Sequence, residues 1–156
     1  MNVDLSELAL AVLEAQPFSR LVGARLTTFS DGVAEIAIDI GDTHLQQFGL
    51  VHGGIWCYAA DNALTFAAGS VLGPSVVTAG LSIQYLEGAR SGTLRALATV
   101  VHHDLRHATC RVELRVDQGS ADSLLCAVAM GTAYATRGGH AAVGSTQEDA
   151  HEKTEL

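Results

Sequence analysis

The chain has 156 residues, 48% of them hydrophobic, and nine basic against seventeen acidic side chains give a formal charge of -8 at pH 7. That length suits one globular domain, the acidic field opposes a nucleic-acid partner, and no apolar run reaches the roughly 18 to 20 residues that cross a bilayer. Acidic residues also stand at Asp4 and Glu7, where a secretory leader would carry bases, so the expected compartment is the cytoplasm and no membrane partner is expected.

In chain order, Asp4 and Glu7 have capping-box spacing, and Leu5, Leu8, Val12 and Leu13 fall on one helical face, which predicts an N-terminal helix over 4–16 that ends before Pro17. Two strands are predicted next, Val22 to Phe29 and Val33 to Ile40, joined by Ser30-Asp31-Gly32. In the second, Ala34, Ile36, Ile38 and Ile40 share one face and Glu35 and Asp39 the other. Residues 41–51 lack periodicity and feed into His52-Gly53-Gly54, after which a nearly all-apolar stretch predicts one long buried helix over about 53–72.

Beyond Gly73-Pro74 the alternation of Val77, Ala79, Leu81, Ile83 and Tyr85 with Thr78, Gly80, Ser82 and Gln84 predicts a strand. Three more are predicted: Leu94 to Val101, Arg111 to Val116 and Leu124 to Tyr134. From 138 to 156 small and charged residues offer little to bury, and a disordered tail is expected beyond a single domain over 1–137. Helices and strands are segregated rather than alternating, which predicts an α+β domain with an antiparallel sheet around the long helix. Cys57, Cys110 and Cys126 lie in apolar contexts without a CxxC pair and are expected as free thiols.

Candidate chemistry gathers between His44 and Thr65. Gly53 and Gly54 at a helix start leave unpaired N–H groups at the positive end of the helix dipole, a ready site for an oxyanion; alone, they also read as a tight turn. Asp61 is an ionisable group among Tyr58, Ala59, Ala60, Ala63, Leu64 and Phe66. A buried carboxylate needs a partner or a purpose, and the bland alternative is a pairing with arginine or a loop cap. Gly53 and Asp61 are eight positions apart, about 12 Å along one helix axis, so one subunit does not easily bring both to one carbonyl. Antiparallel helices across a twofold axis would do so, which predicts at least a homodimer.

The string HLQQFGLVHGGIWCYAADNALTFAAG resembles the signature of the PaaI-type (phenylacetate-pathway) acyl-CoA thioesterases, related to the bacterial 4-hydroxybenzoyl-CoA thioesterases. The resemblance extends over roughly residues 20 to 136. It implies a hotdog fold, in which a curved antiparallel sheet wraps one long central helix, dimers that pair into a homotetramer, and hydrolysis of an aryl- or acyl-CoA thioester with neither metal nor cofactor. Gln46 and His52 match the family positions that orient the thioester carbonyl, Gly53 the backbone donor to it, and Asp61 the acid, acting as general base or nucleophile. Thr65 matches a hydroxyl that helps hold the attacking water or the carboxylate. Leu86-Glu87-Gly88 stands where relatives carry Arg-Pro, and Leu105-Arg106 where they carry Gly-Arg.

Phe48 and Gly54 are further candidates for substrate contact, with core packing as the alternative for Phe48; Arg90, Arg106 and His107 are candidates for the coenzyme A phosphates, each with an ordinary solvated surface residue as the alternative. His102 and His103 would face opposite ways on a strand, so no metal site is expected there. A hotdog-fold acyl-CoA hydratase or dehydratase and a non-catalytic acyl-CoA-binding protein are the rival readings.

Overall fold

The structure, a computed structural model, describes residues 4–119 and 122–136. The tail expected from 138 onward lies outside the described residues. Asp4 caps α1 (Leu5–Ala15), its side chain accepting from the Ser6 N–H at 3.0 Å. No helix is expected from the sequence between Pro17 and the first strand, yet α2 (Pro17–Val22) follows at once. Proline is well suited to a first helical position, where its missing N–H costs no bond, and the left-handed Gly23 (φ 71) ends the turn. The first strand therefore begins later than expected, as β1 (Ala24–Ser30), followed by β2 (Val33–Asp39).

The long helix α3 (Gly53–Leu72) has the expected bounds, and β3 (Val76–Tyr85), β4 (Thr93–His103), β5 (His107–Asp117) and β6 (Leu124–Ala135) follow among the described residues. The six strands form one antiparallel sheet in the order β1-β2-β4-β5-β6-β3. Ile36 and Ile38 of β2, Leu94 of β4 and Val112, Leu114 and Val116 of β5 are fully buried against α3. The helix meets them with Ala59, Ala60, Ala63, Leu64, Ala67 and Ala68, all inaccessible. Small side chains let the sheet approach closely, and Gly131 of β6 shows how closely: a Cβ there would stand 2.6 Å from both Leu64 Cδ1 and the Gly80 carbonyl oxygen. No helix is long and apolar enough to cross a membrane among the described residues.

One stripe of α3 escapes the sheet. Gly53, Cys57, Tyr58, Asp61 and Thr65 are half-buried and Gly54 is exposed; of these, Gly53 and Asp61 bond to Tyr85 and Thr78 of β3, whose outer edge has no neighbouring strand in the described chain. The strict alternation expected for β3 breaks there. Its register with β6 shifts between Thr78 and Gly80, a bulge at Ala79, so the phase slips by one residue. Leu81 and Ile83 face inward as expected, but before the bulge Val76 and Thr78 are the more buried residues and Val77 is exposed.

Candidate active site

The N-terminal end of α3 is fixed by its approach loop. The Leu45 and Val51 backbones form an antiparallel bridge, Gln46 N–H donates to the Leu50 carbonyl at 2.8 Å, and Gly49, at φ 74, donates back to the Gln46 carbonyl at 2.9 Å. His44 is buried, its Nδ1 accepting from the Gly41 N–H at 3.0 Å and its carbonyl from the His52 N–H at 2.9 Å. Arg90 closes the loop from outside, donating from Nη1 to the Phe48 carbonyl at 2.8 Å. A Cβ on Gly49 would lie 2.9 Å from that same nitrogen, the tip of a flexible side chain that can move aside, so it is the positive φ that calls for glycine there.

These bonds decide what the polar side chains present. The Gln46 Oε1 accepts from the Phe48 N–H, which leaves its amide NH2 as the outward donor. His52 is the N-cap of α3, its Nδ1 accepting from the Gly54 N–H at 2.9 Å. An accepting Nδ1 is unprotonated, so the neutral ring carries its proton on Nε2 and presents a donor. Gly54 N–H is spent on that cap and Ile55 N–H on the His52 carbonyl at 2.9 Å. Among the described residues no acceptor is bonded to the Gly53 N–H, which stands at the positive end of a 20-residue helix. The Tyr85 hydroxyl holds the Gly53 carbonyl at 3.0 Å from the other side; burial raises that phenol's pKa.

Two turns along, Asp61 makes no ion pair among the described residues. Its Oδ1 accepts from the Thr78 hydroxyl at 2.6 Å, so the bland reading of an arginine partner is replaced by a single hydroxyl from β3. Thr78 is the residue that sequence reasoning missed, because strict alternation turns it outward and the bulge at Ala79 turns it in. Thr65 sits one turn beyond Asp61 as expected, but its hydroxyl donates to the Asn62 and Asp61 carbonyls at 2.9 and 3.2 Å rather than to the carboxylate. Beside Asp61 on the helix a separate polar network ties α3 to α2: Asn62 donates to the Tyr58 hydroxyl at 2.8 Å, and Tyr58 to Ser19 at 2.7 Å. Burial pushes the Tyr58 phenol up, keeping it a neutral donor.

The residues expected at the coenzyme do not cluster in one chain. Arg90 and the exposed Phe48 flank the start of α3, whereas Arg106 and His107 stand in the β4–β5 turn. There Asp104 Oδ1 accepts from both their backbone N–H groups at 2.7 and 2.8 Å, and these bonds hold its carboxyl below the usual range. His107 pairs with Tyr134 and Ala135 with Val76, which sets this turn beside the start of β3; the end of β3, Tyr85, touches Gly53. Nine strand steps, roughly 30 Å, separate the two groups. Among the described residues no three His, Cys, Asp or Glu side chains are grouped to hold a metal ion. The cysteines are free; Cys110 is buried, its thiol pushed up to about 11.

The sequence model of the thioesterase superfamily matches residues 48–122, from the approach loop through α3 to just beyond β5. A 1,4-dihydroxy-2-naphthoyl-CoA hydrolase of Listeria monocytogenes is 24% identical over 107 residues, 67% of this chain and 85% of its own. Among solved structures, the phenylacetic acid degradation protein PaaI of Thermus thermophilus is 29% identical with a TM-score of 0.68, covering 78% of this chain and 100% of its own. The Escherichia coli PaaI protein, at 22% identity, has a TM-score of 0.76 over 85% of this chain and 94% of its own, a likeness of fold. The long helix inside a six-stranded antiparallel sheet is thus the hotdog arrangement.

Proposed function

The chain belongs to the thioesterase superfamily and is a thioester hydrolase, and from that premise we propose that it cleaves an acyl-coenzyme A in a site built by two subunits, with Asp61 of one and the Gly53 amide of the other. The observation that carries this reading is the pairing of an uncommitted helix-terminal N–H at Gly53 with a carboxylate at Asp61 that is held by one hydroxyl and no cation. Eight helical positions keep the two about 12 Å apart in one chain. The half-buried stripe of α3 and the open edge of β3 adjoin, so a twofold partner seated on them would run its α3 antiparallel and set the partner's Asp61 opposite Gly53. The same operation would bring the Arg106–His107 turn of one subunit toward the Arg90 end of the other, a basic rim suited to the phosphates of coenzyme A.

In this reading the thioester carbonyl accepts from the Gly53 N–H, with the Gln46 amide and the His52 Nε2–H fixing its direction. The partner's Thr78 hydroxyl holds Oδ1 of the partner's Asp61 in place, and Oδ2 takes a proton as water adds to the carbonyl carbon. The resulting oxyanion faces the helix terminus. When the tetrahedral species collapses, the C–S bond breaks, the electron pair leaves with sulfur, and the proton on Asp61 neutralises the coenzyme A thiolate. Water and groups of the chain account for every atom of the step.

Thiol release from an acyl-CoA panel tests the proposal. Asp61→Asn is expected to lower kcat by about 10²–10⁴ while ligand binding persists; unaltered turnover in that variant would remove Asp61 from the mechanism.

A further inference from the structure

An apolar pocket, open to solvent along one side, lies between α1 and the C-terminal half of α3; α1 contributes Leu5, Leu8 and Val12, β1 contributes Phe29, and α3 contributes Phe66 and Gly69. It begins at Thr65, one turn past Asp61, and runs to Gly73, eight positions or about 12 Å along the helix. Val76 lines its strand side, and the next residue in the same phase is Thr78, the one bonded to Asp61. Helix and strand thus both lead from the pocket to the carboxylate. We propose that this pocket holds the acyl tail of the thioester and selects an extended aliphatic chain over a hydroxylated aromatic ring; the inference rests on the thioesterase reading above.

Most of the pocket's polar side-chain groups are already engaged. Ser70 donates to the Ala67 carbonyl at 2.7 Å and accepts from the Gly32 N–H at 2.8 Å, and Thr65 is turned to its own helix backbone. The Gln16 side-chain oxygen accepts from Ser19 at 2.5 Å and from Asn62 at 3.4 Å, which leaves its amide NH2 as the uncommitted polar group among these side chains. Several ring hydroxyls entering here would lose water with only the Gln16 amide as a partner, whereas a hydrocarbon chain has no hydrogen bonds to lose. Leu5, Leu8 and Val12 are 62%, 37% and 40% exposed, apolar surface that such a chain would cover.

Gly69 gives an independent sign of purpose. A glycine inside a helix weakens it, and this one has no positive φ to require it. A Cβ would stand 3.5 Å from the Val76 side chain, ordinary contact, so packing does not require glycine either. A larger side chain at 69 would instead fill the pocket, and its absence keeps the channel open.

The test compares acetyl-, octanoyl-, decanoyl-, benzoyl- and dihydroxynaphthoyl-CoA with the wild-type protein, Gly69→Leu and Leu8→Trp, which intrude from opposite walls; Leu8 is partly exposed, so the second variant does not disturb the core. The wild type should prefer the aliphatic chains to the dihydroxynaphthoyl ester. In either variant the ratio of decanoyl to acetyl kcat/KM should fall by about tenfold or more. A ratio within about twofold of wild type in both variants, or a wild-type preference for the hydroxylated aromatic ester, overturns the assignment. Calorimetric titration of decanoate separates the two readings: if no thioester is hydrolysed, binding that is lost in both variants still supports the pocket, and binding unchanged in them overturns it.

Discussion

At the N-terminal end of α3, backbone and side chains from His44 to Gly54 are tied together so fully that Gln46, His52 and Gly53 each have one defined donor left. From Thr65 to Gly73 the same helix is bordered by aliphatic side chains, phenylalanine edges and a glycine, with its hydroxyls turned away from the pocket. Directional bonds specify a geometry, and apolar contact specifies only shape and volume. On the proposed reading, the first end places the reacting carbonyl and the second chooses the acyl group, with Asp61 between them. Variants at the two ends should therefore fail differently, the first in kcat for every substrate and the second in chain-length preference.

The largest effect expected at the ordered end comes from Gly53→Pro. Proline at a first helical position removes the N–H without disturbing the helix, and His52 already has the extended conformation (φ -63, ψ 138) that a following proline demands. Loss of one oxyanion donor should lower kcat by about 10²–10³, with helix content unchanged by circular dichroism; a kcat within a few-fold of wild type would take this amide out of the site. Thr78→Val should come next, at about tenfold in kcat, the worth of one hydrogen bond to a charged group, and Thr78→Ser should restore most of it. Equal losses in the two would mean that Thr78 only packs.

Arg90→Ala should lower turnover of an acyl-pantetheine ester by about fivefold through the loosened 46–50 loop, and that of the coenzyme A ester by more. Equal losses would leave Arg90 as a loop clamp alone, and no loss on the pantetheine ester would contradict the clamp. The smallest effect belongs to Asp104→Ala. The lowered pKa of Asp104 arises from the Arg106 and His107 N–H groups, so its contribution to stability is present above the ordinary carboxylate value and disappears as pH falls through the lowered folded value. The Tm difference from wild type should be small at pH 7 and absent in strong acid; a difference that persists in acid would assign it to something other than the carboxylate.

How far these features were legible in the sequence follows the range of the interactions behind them. The bounds of α3 were readable because His52-Gly53-Gly54 and Gly73-Pro74 bracket an apolar run, signals that are local. The inward faces of β2 and β5 were readable from period-two alternation. Helix α2 was missed because Pro17 was read as a stop when it was also a start. Thr78 was missed because a bulge is written in the pairing of β3 with β6, not in β3 alone. Gln46 and His52 were recognised as residues, but the direction of each donor depends on bonds to Phe48 and Gly54 that a motif does not specify.

The division of one site between two chains is tested most directly by mixing two inactive proteins. Gly53→Pro retains Asp61, and Asp61→Asn retains Gly53. If the groups act across a twofold interface, co-refolding equal amounts makes about half the dimers mixed, each with one intact site, and thiol release should return to about a quarter of the wild-type rate. If each chain carries a complete site of its own, no intact site can form in any mixture, and activity that stays at the level of the separate variants would contradict the account.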